Sequence, residues 1–363
     1  MEIKLEKFKY PEDFKKQREL FIECFPETIG TPIITEEHYR WKFKSFPGKK
    51  YEKSFEYIAR LDDAIVGYYA AIPYEYLIKN KSFYVGMVCD VMTGIKARGK
   101  GVFTKLGIFS TDQFLKEGLA FSTGFPIRPE VIPGHKKAGW DFPFQIPLYG
   151  KFLKFNAFFK AKSTSYLTPF ANFFILFYNS VLNLFIRSSN RIHTIRYNSS
   201  QITDIVGLKK FKIKWCEENK IALNKSIKFL KWRLGAPEKN YEIIVLNDKL
   251  NQSILGYSIV RTIEKEGVPC LGVLDFCLIK NSQKFSKYLL LEIEKSAKMQ
   301  KAELILIMMM KHKAKEYQLK SAGFLKTPYN FSFIMKKFNN SLNTDFLKEE
   351  KNWNLMWIDS DDL

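Results

Sequence analysis

The chain has 363 residues, of which 58 are Lys or Arg and 38 Asp or Glu, for a net charge of +20. That length suits two or three domains, and an apolar fraction of 46% excludes wholesale disorder. Cys24, Cys89, Cys216, Cys270 and Cys277 form no CxxC pair, which excludes a readable zinc ribbon or disulfide framework.

In chain order, the pattern predicts a strand over residues 3–8 and an amphipathic helix over 11–24, closed near Pro26. A second helix is expected over 35–43, with Thr35 as N-cap and Glu36 and Glu37 in its first turn. Strand runs over 55–61 and 64–72 flank Asp62-Asp63, a hairpin signal. Two further strands are expected over 77–79 and 83–95. Val102, Leu106, Phe109 and Phe114 then form a helical stripe over 101–117. A strand over 119–123 and a short helix over 129–138 follow.

The order of these features recurs. His38-Tyr39-Arg40-Trp41-Lys42, Pro47, Tyr57, Gly67 and Tyr68 are echoed by Phe229-Leu230-Lys231-Trp232-Arg233, Pro237, Tyr241, Gly256 and Tyr257. Asp90 is matched by Asp275, and Ala138-Gly139-Trp140 by Ala322-Gly323-Phe324. An offset held near about 190 residues predicts two copies of one α/β unit. We therefore expect a first domain over 1–154, an aromatic-rich helical linker over 155–200 and a second domain over 201–363.

The linker contains an uncharged stretch, Ser163 to Ile186, flanked by Lys160 and Lys162 before it and Arg187 and Arg191 after it. Its length approaches a bilayer span, but Pro169, Asn172, Asn179, Ser180 and Asn183 weaken that reading. Helices packed on the domains, a homodimer interface and peripheral membrane contact through 163–186 stay open. The N-terminus has no apolar leader core, so the expected location is cytoplasmic.

The most specific chemistry lies in Val88-Cys-Asp-Val-Met-Thr-Gly-Ile-Lys-Ala-Arg-Gly-Lys-Gly-Val-Phe. A strand runs into a short glycine loop and then a helix, the geometry that phosphates require. Glycines let the backbone approach, N–H groups at the helix start face the anion, and Arg98 and Lys100 add charge. The loop is neither a Walker A nor a GxGxxG sequence.

Lys96-Ala97-Arg98-Gly99-Lys100-Gly101 resembles the Gln/Arg-x-x-Gly-x-Gly/Ala signature of the GNAT superfamily of acetyl-CoA-dependent N-acyltransferases, with Lys96 in the first place. His135 to Trp140 resembles the Tyr-x-x-x-Gly-Phe ending of that family's core. The resemblance implies an α/β fold of tandem mixed-sheet GNAT-type units. The second unit is degenerate in its CoA loop, since Ile279-Lys280-Asn281-Ser282-Gln283 has no glycine.

The resemblance also implies acetyl-CoA as co-substrate, with no metal. Backbone groups of Val91, Met92 and Thr93 would pair with the pantetheine amides. Arg98, Gly99, Lys100, Gly101, Val102 and Phe103 would hold the pyrophosphate. His135 stands where many members have a tyrosine acid, and reads either as that acid or as a cap histidine. Glu130 reads as a proton acceptor or a helix-start carboxylate, and Asp90 as a buried polar group or a substrate contact. Asp359 and Asp361 would attract a cationic amine, unless they lie in a frayed tail. Cys89 reads as a buried strand thiol.

The expected activity is N-acetylation of a small primary amine, with an amino sugar, free or nucleotide-linked, as the preferred class. The amine would attack the thioester directly. The alternatives are a Fem-like aminoacyl-tRNA-dependent transferase and a non-catalytic CoA-binding module. The lysines are spread along the chain as a solvated surface would have them, so no nucleic-acid partner is expected.

Overall fold

The computed structural model describes residues 2–48, 53–161, 164–184, 191–339 and 342–361. Two compact units emerge. The first comprises Met1–Phe144, Gly235–Lys239 and Ser332–Glu350, and the second Gln145–Leu234, Asn240–Phe331 and Lys351–Leu363. The expected linker over 155–200 is no separate domain: its described residues belong to the second unit. The expected division at 154 also moves, because residues 332–350 complete the first unit.

The first unit contains β1 (Ile3–Lys7), α1 (Phe14–Cys24), α2 (Glu36–Lys44), β2 (Phe55–Leu61), β3 (Ala64–Ile78), β4 (Lys81–Thr93), α3 (Val102–Lys116), β5 (Phe121–Gly124) and α4 (Ile132–Lys137). The next strand, β6 (Asp141–Phe152), gives most of its length to the second unit. There it is followed by α5 (Asn156–Ala161), α6 (Thr168–Leu184), β7 (Ile192–Asn198), α7 (Leu208–Glu217), β8 (Ile221–Leu223), α8 (Ile227–Leu234), β9 (Glu242–Asp248), β10 (Ile254–Lys265) and β11 (Val268–Leu278). The chain ends through α9 (Ser286–Met299), β12 (Leu304–Met308), α10 (Lys311–Glu316), β13 (Leu325–Lys337), α11 (Thr344–Lys348) and β14 (Trp353–Asn354).

Each unit repeats one topology. In the first, β1, β2, β3 and β4 pair antiparallel in turn, and β4 pairs parallel with β5. In the second, β7, β9, β10 and β11 pair antiparallel, and β11 pairs parallel with β12. The helix between the two parallel strands is α3 in one unit and α9 in the other, as a parallel crossover demands. The sixth strand comes from the distant part of the sequence in both: β13 residues Ile334–Lys337 pair with β5, and β6 pairs with β12. The tandem mixed-sheet architecture is therefore real.

Local chemistry explains the elements. The Thr35 hydroxyl accepts the His38 N–H at 3.1 Å and caps α2 as expected. Val102, Leu106 and Phe114 of α3 pack with Tyr57, Tyr69, Val88 and Trp140 in one buried cluster. Gly67 lets that helix come close, because a Cβ there would lie 3.1 Å from both Val102 and Leu106 side chains. One expectation fails at Pro73, where β3 continues unbroken to Ile78. The start of β2, Phe55, faces Ala71, so Pro73 lies beyond the β2 ladder and its missing N–H breaks nothing there.

Candidate functional site

The site begins as a defect in strand pairing. β4 follows β5 only as far as Val88 opposite Gly124, so Cys89–Thr93 have no β5 partner. On the other side of β4, Tyr68 faces Met92 but Ala70 faces Cys89, which leaves a bulge at Asp90 and Val91. Asp90 adopts φ +48, the left-handed conformation that such a bulge uses. The two strands part, and a cleft of about 990 Å³ opens beside them.

Val91, Met92 and Thr93 line one wall of this cleft. Arg98, Gly99, Gly101, Val102, Phe103 and Thr104 form its end, at the start of α3. Gly99 and Gly101 have φ of +75 and +74 with no atom within 4 Å of a built Cβ. The conformation, rather than crowding, requires glycine there. α3 has no acidic residue in its first turn, so nothing competes for its N–H groups and positive dipole end. Arg98 is braced by donating from Nε to the Thr93 carbonyl at 3.3 Å. The Thr93 hydroxyl is buried and has no hydrogen-bond partner among the described residues. An unsatisfied polar atom and a glycine cradle on a helix start fit an elongated, phosphate-bearing ligand.

Of the nine residues expected to hold the cofactor, Lys100 alone falls outside this lining. It borders a separate hollow with Ile3, Leu61, Val66, Ala97 and Val102. The opposite wall was not anticipated: Cys24, Phe25, Arg128 and Lys137 line it. Arg128 pairs with Glu27 at 2.6 Å, donates to the Cys24 carbonyl at 3.1 Å and stacks its guanidinium 4.7 Å from the Phe25 ring centre. The signal was a lone arginine directly after the fifth strand, in Pro126-Ile-Arg-Pro129. Burial pushes the Cys24 thiol up, so it is no ready nucleophile.

The three candidate catalytic residues, Glu130, His135 and Asp90, separate. Glu130 is exposed and lines the cleft. His135 is buried outside the lining, edge-on to Phe103 at 5.0 Å and to Trp140 at 5.4 Å. Burial lowers its pKa to about 4, so it is neutral at physiological pH and unfit as the acid. Asp90 is also outside the lining and pairs with Lys42 at 2.8 Å. Burial works to raise its pKa, but the Lys42 ammonium outweighs it and holds the carboxyl below the ordinary range. Asp90 is thus a locked anion that supports the bulge. Cys89 is buried, as expected.

In the second unit the corresponding gap is filled by the chain itself. β11 and β12 pair as far as Val273 and Ile307, and Met356 then bridges to Met309. Asp359 is fully buried, 3.3 Å from Lys225, which also pairs with Asp275 at 2.7 Å. Tyr257 donates to Asp275, and Lys212 donates to Tyr257. Asp359 is therefore a structural carboxylate and not a substrate contact; Asp361, half-buried, ends the described chain.

Comparison with known proteins agrees with this geometry. The model of the acetyltransferase (GNAT) domain family matches residues 9–143. No curated protein matches the chain significantly. Among solved structures, a protein of Enterococcus faecalis V583 described as a probable N-acyltransferase superposes with a TM-score of 0.63 at 11% identity, covering 92% of this chain and 72% of its own. A GCN5-related N-acetyltransferase from Anabaena variabilis gives 0.64 at 10% identity, with 93% and 73% covered. One from Kribbella flavida gives 0.56 at 8%, with 93% and 71% covered. At such identities the likeness speaks for the fold, which extends over both units. Residues 9–143 thus match the acetyltransferase (GNAT) domain family, and the fold of the chain is like that of these N-acyltransferase structures.

Proposed function

We propose that the first unit is an acetyl-CoA-dependent N-acetyltransferase acting on a small primary amine. The observation that carries this reading is the cleft between parted β4 and β5, closed at one end by the Gly99–Gly101 loop and the start of α3. Backbone groups of Val91, Met92 and Thr93 would take the pantetheine amides, and the loop with Arg98 the pyrophosphate. The Thr93 hydroxyl would gain a partner.

The amine nitrogen attacks the thioester carbonyl carbon; the new C–N bond forms as the C–S bond breaks. Glu130, the one expected carboxylate in the cleft lining, takes the ammonium proton directly or through water. A thiol pKa of about 8.5 puts protonation of the leaving thiolate within reach of solvent, so no resident acid is demanded. An amino sugar, free or nucleotide-linked, is the acceptor class that Arg128 and Lys137 in the same cleft as Glu130 suit best.

Calorimetry with coenzyme A, followed by thiol release with acetyl-CoA and an amine panel, tests this. We expect Arg98→Ala to weaken binding about tenfold, the equivalent of about 1.4 kcal/mol. Absence of coenzyme A binding by the unaltered chain would overturn the reading.

A further inference from the structure

Helix α6 carries its polarity inside out. Its three asparagines face the second unit and are spent there, while Ser180 is exposed and donates to the Leu176 carbonyl of its own helix. Asn172 accepts the Phe155 N–H and donates to Asn156, both at 2.8 Å. Asn179 is buried and donates to the Phe152 carbonyl at 3.0 Å; Asn183 donates to Glu294 at 3.3 Å. Its aromatic side chains face outward, whereas Ile175, Val181 and Leu182 are half-buried. Phe170, Phe173, Phe174 and Phe177 are 52–68% exposed, and Tyr166, Leu176, Tyr178 and Leu184 extend the same surface. The asparagines that weaken a membrane reading of the sequence are therefore on the side away from any membrane.

Charge identifies what covers this face. Residues 142–203 contain no Asp or Glu, while Lys154 and Lys160 precede the helix and Arg187 and Arg191 follow it in sequence. Lys154 and Lys160 are exposed. An aromatic face beside the exposed Lys154 and Lys160, in a stretch of sequence without acids, complements an interface of acyl chains beneath anionic headgroups, whereas Arg191 is spent on Asp248 at 2.8 Å. A second copy packed through the same face would cover the phenylalanines but bring no Asp or Glu of residues 142–203 to Lys154 and Lys160. The segment Ser165–Leu184 is long and apolar enough to cross a bilayer, but crossing would break the asparagine bonds that tie it lengthwise to the unit.

We propose that α6 is an interfacial anchor that lies flat on anionic membrane surfaces, with Phe170, Phe173, Phe174 and Phe177 in the acyl boundary. The test is co-sedimentation of the full chain with phosphatidylcholine vesicles, with and without phosphatidylglycerol. We expect binding to the anionic vesicles, weakened by salt and released by alkaline carbonate. The triple variant Phe170→Ser, Phe173→Ser, Phe177→Ser should lose at least about tenfold in partitioning while keeping its thermal transition. The double variant Lys154→Gln, Lys160→Gln, which leaves the aromatic face whole, should lose affinity for anionic vesicles alone. Three results overturn the proposal: no vesicle binding by the full chain, with or without a dimer that the serine variant dissociates; unchanged binding by both variants; or retention through the carbonate wash, which marks a span.

Discussion

His135 shows how a residue's surroundings decide its role. Edge-on to Phe103 and Trp140, it has a folded-state pKa of about 4 against an ordinary value of about 6.5. The unfolded chain therefore binds the proton first, and stability is lost as pH falls from the ordinary value through about 4, with a slope up to about 1.4 kcal/mol per pH unit. His135→Phe should flatten this part of the acid limb in urea unfolding, and should leave the pH dependence of thiol release unchanged. Asp359 works in the opposite sense. Burial raises its pKa to about 6, despite Lys225, so its contribution is fully present below the ordinary carboxyl value and is lost as pH rises through about 6. The stability difference between the parent and Asp359→Asn should accordingly shrink from about pH 4 to pH 6. Neither environment could be read from the sequence, because neither His135 nor Asp359 differs locally from a surface residue. Lys225 reaches Asp359 from far back along the chain, and Phe103 reaches His135 from α3, while Trp140, five residues on, closes over it only because the chain turns there.

At the scale of elements, the glycine loop links fold and site. Gly101 is the left-handed residue before α3, and Gly99 shares that conformation. Gly101→Ala should cost about 1–2 kcal/mol through its φ alone. Gly30 is a matched control, with φ +82, open surroundings and a position outside the cleft lining. We expect Gly30→Ala and Gly101→Ala to lower the unfolding midpoint comparably, whereas calorimetry should show a loss of coenzyme A affinity in Gly101→Ala alone. Equal affinity in the two would separate the loop from the ligand. This loop was legible because its chemistry is local: two glycines, two cations and an apolar stripe at helical spacing behind them. The α2 cap at Thr35 was legible for the same reason. The Arg128 wall was not, since its partners Glu27 and Phe25 lie about a hundred residues earlier. Nor was the inside-out polarity of α6 evident, because a run of Phe, Leu and Asn does not reveal which face the unit binds.

For the molecule as a whole, the repeat of about 190 residues correctly signals two copies of one unit, but the sequence boundaries of those copies mislead. The strand following α4 completes the second unit, and Ile334–Lys337 completes the first by pairing with Phe121–Gly124. Ile334 also enters the first unit's apolar cluster, and Lys336 donates to the Ala138 carbonyl at 2.9 Å and the Thr111 hydroxyl at 2.8 Å. A fragment of residues 1–154 therefore lacks a neighbour for β5 and leaves that edge unpaired, the arrangement that promotes aggregation. We expect this fragment to show no cooperative thermal transition, in contrast to the full chain. A peptide covering residues 325–350, added in trans, should restore both the transition and coenzyme A binding, because it returns the missing strand and the Ile334 side chain together. Cooperative folding of 1–154 alone would mean that the β4–β5 cleft needs nothing beyond its own half of the sequence. Restoration by the peptide would mean that the β4–β5 cleft depends on a strand encoded some two hundred residues downstream, so that substitutions in β13 weaken a site they do not line.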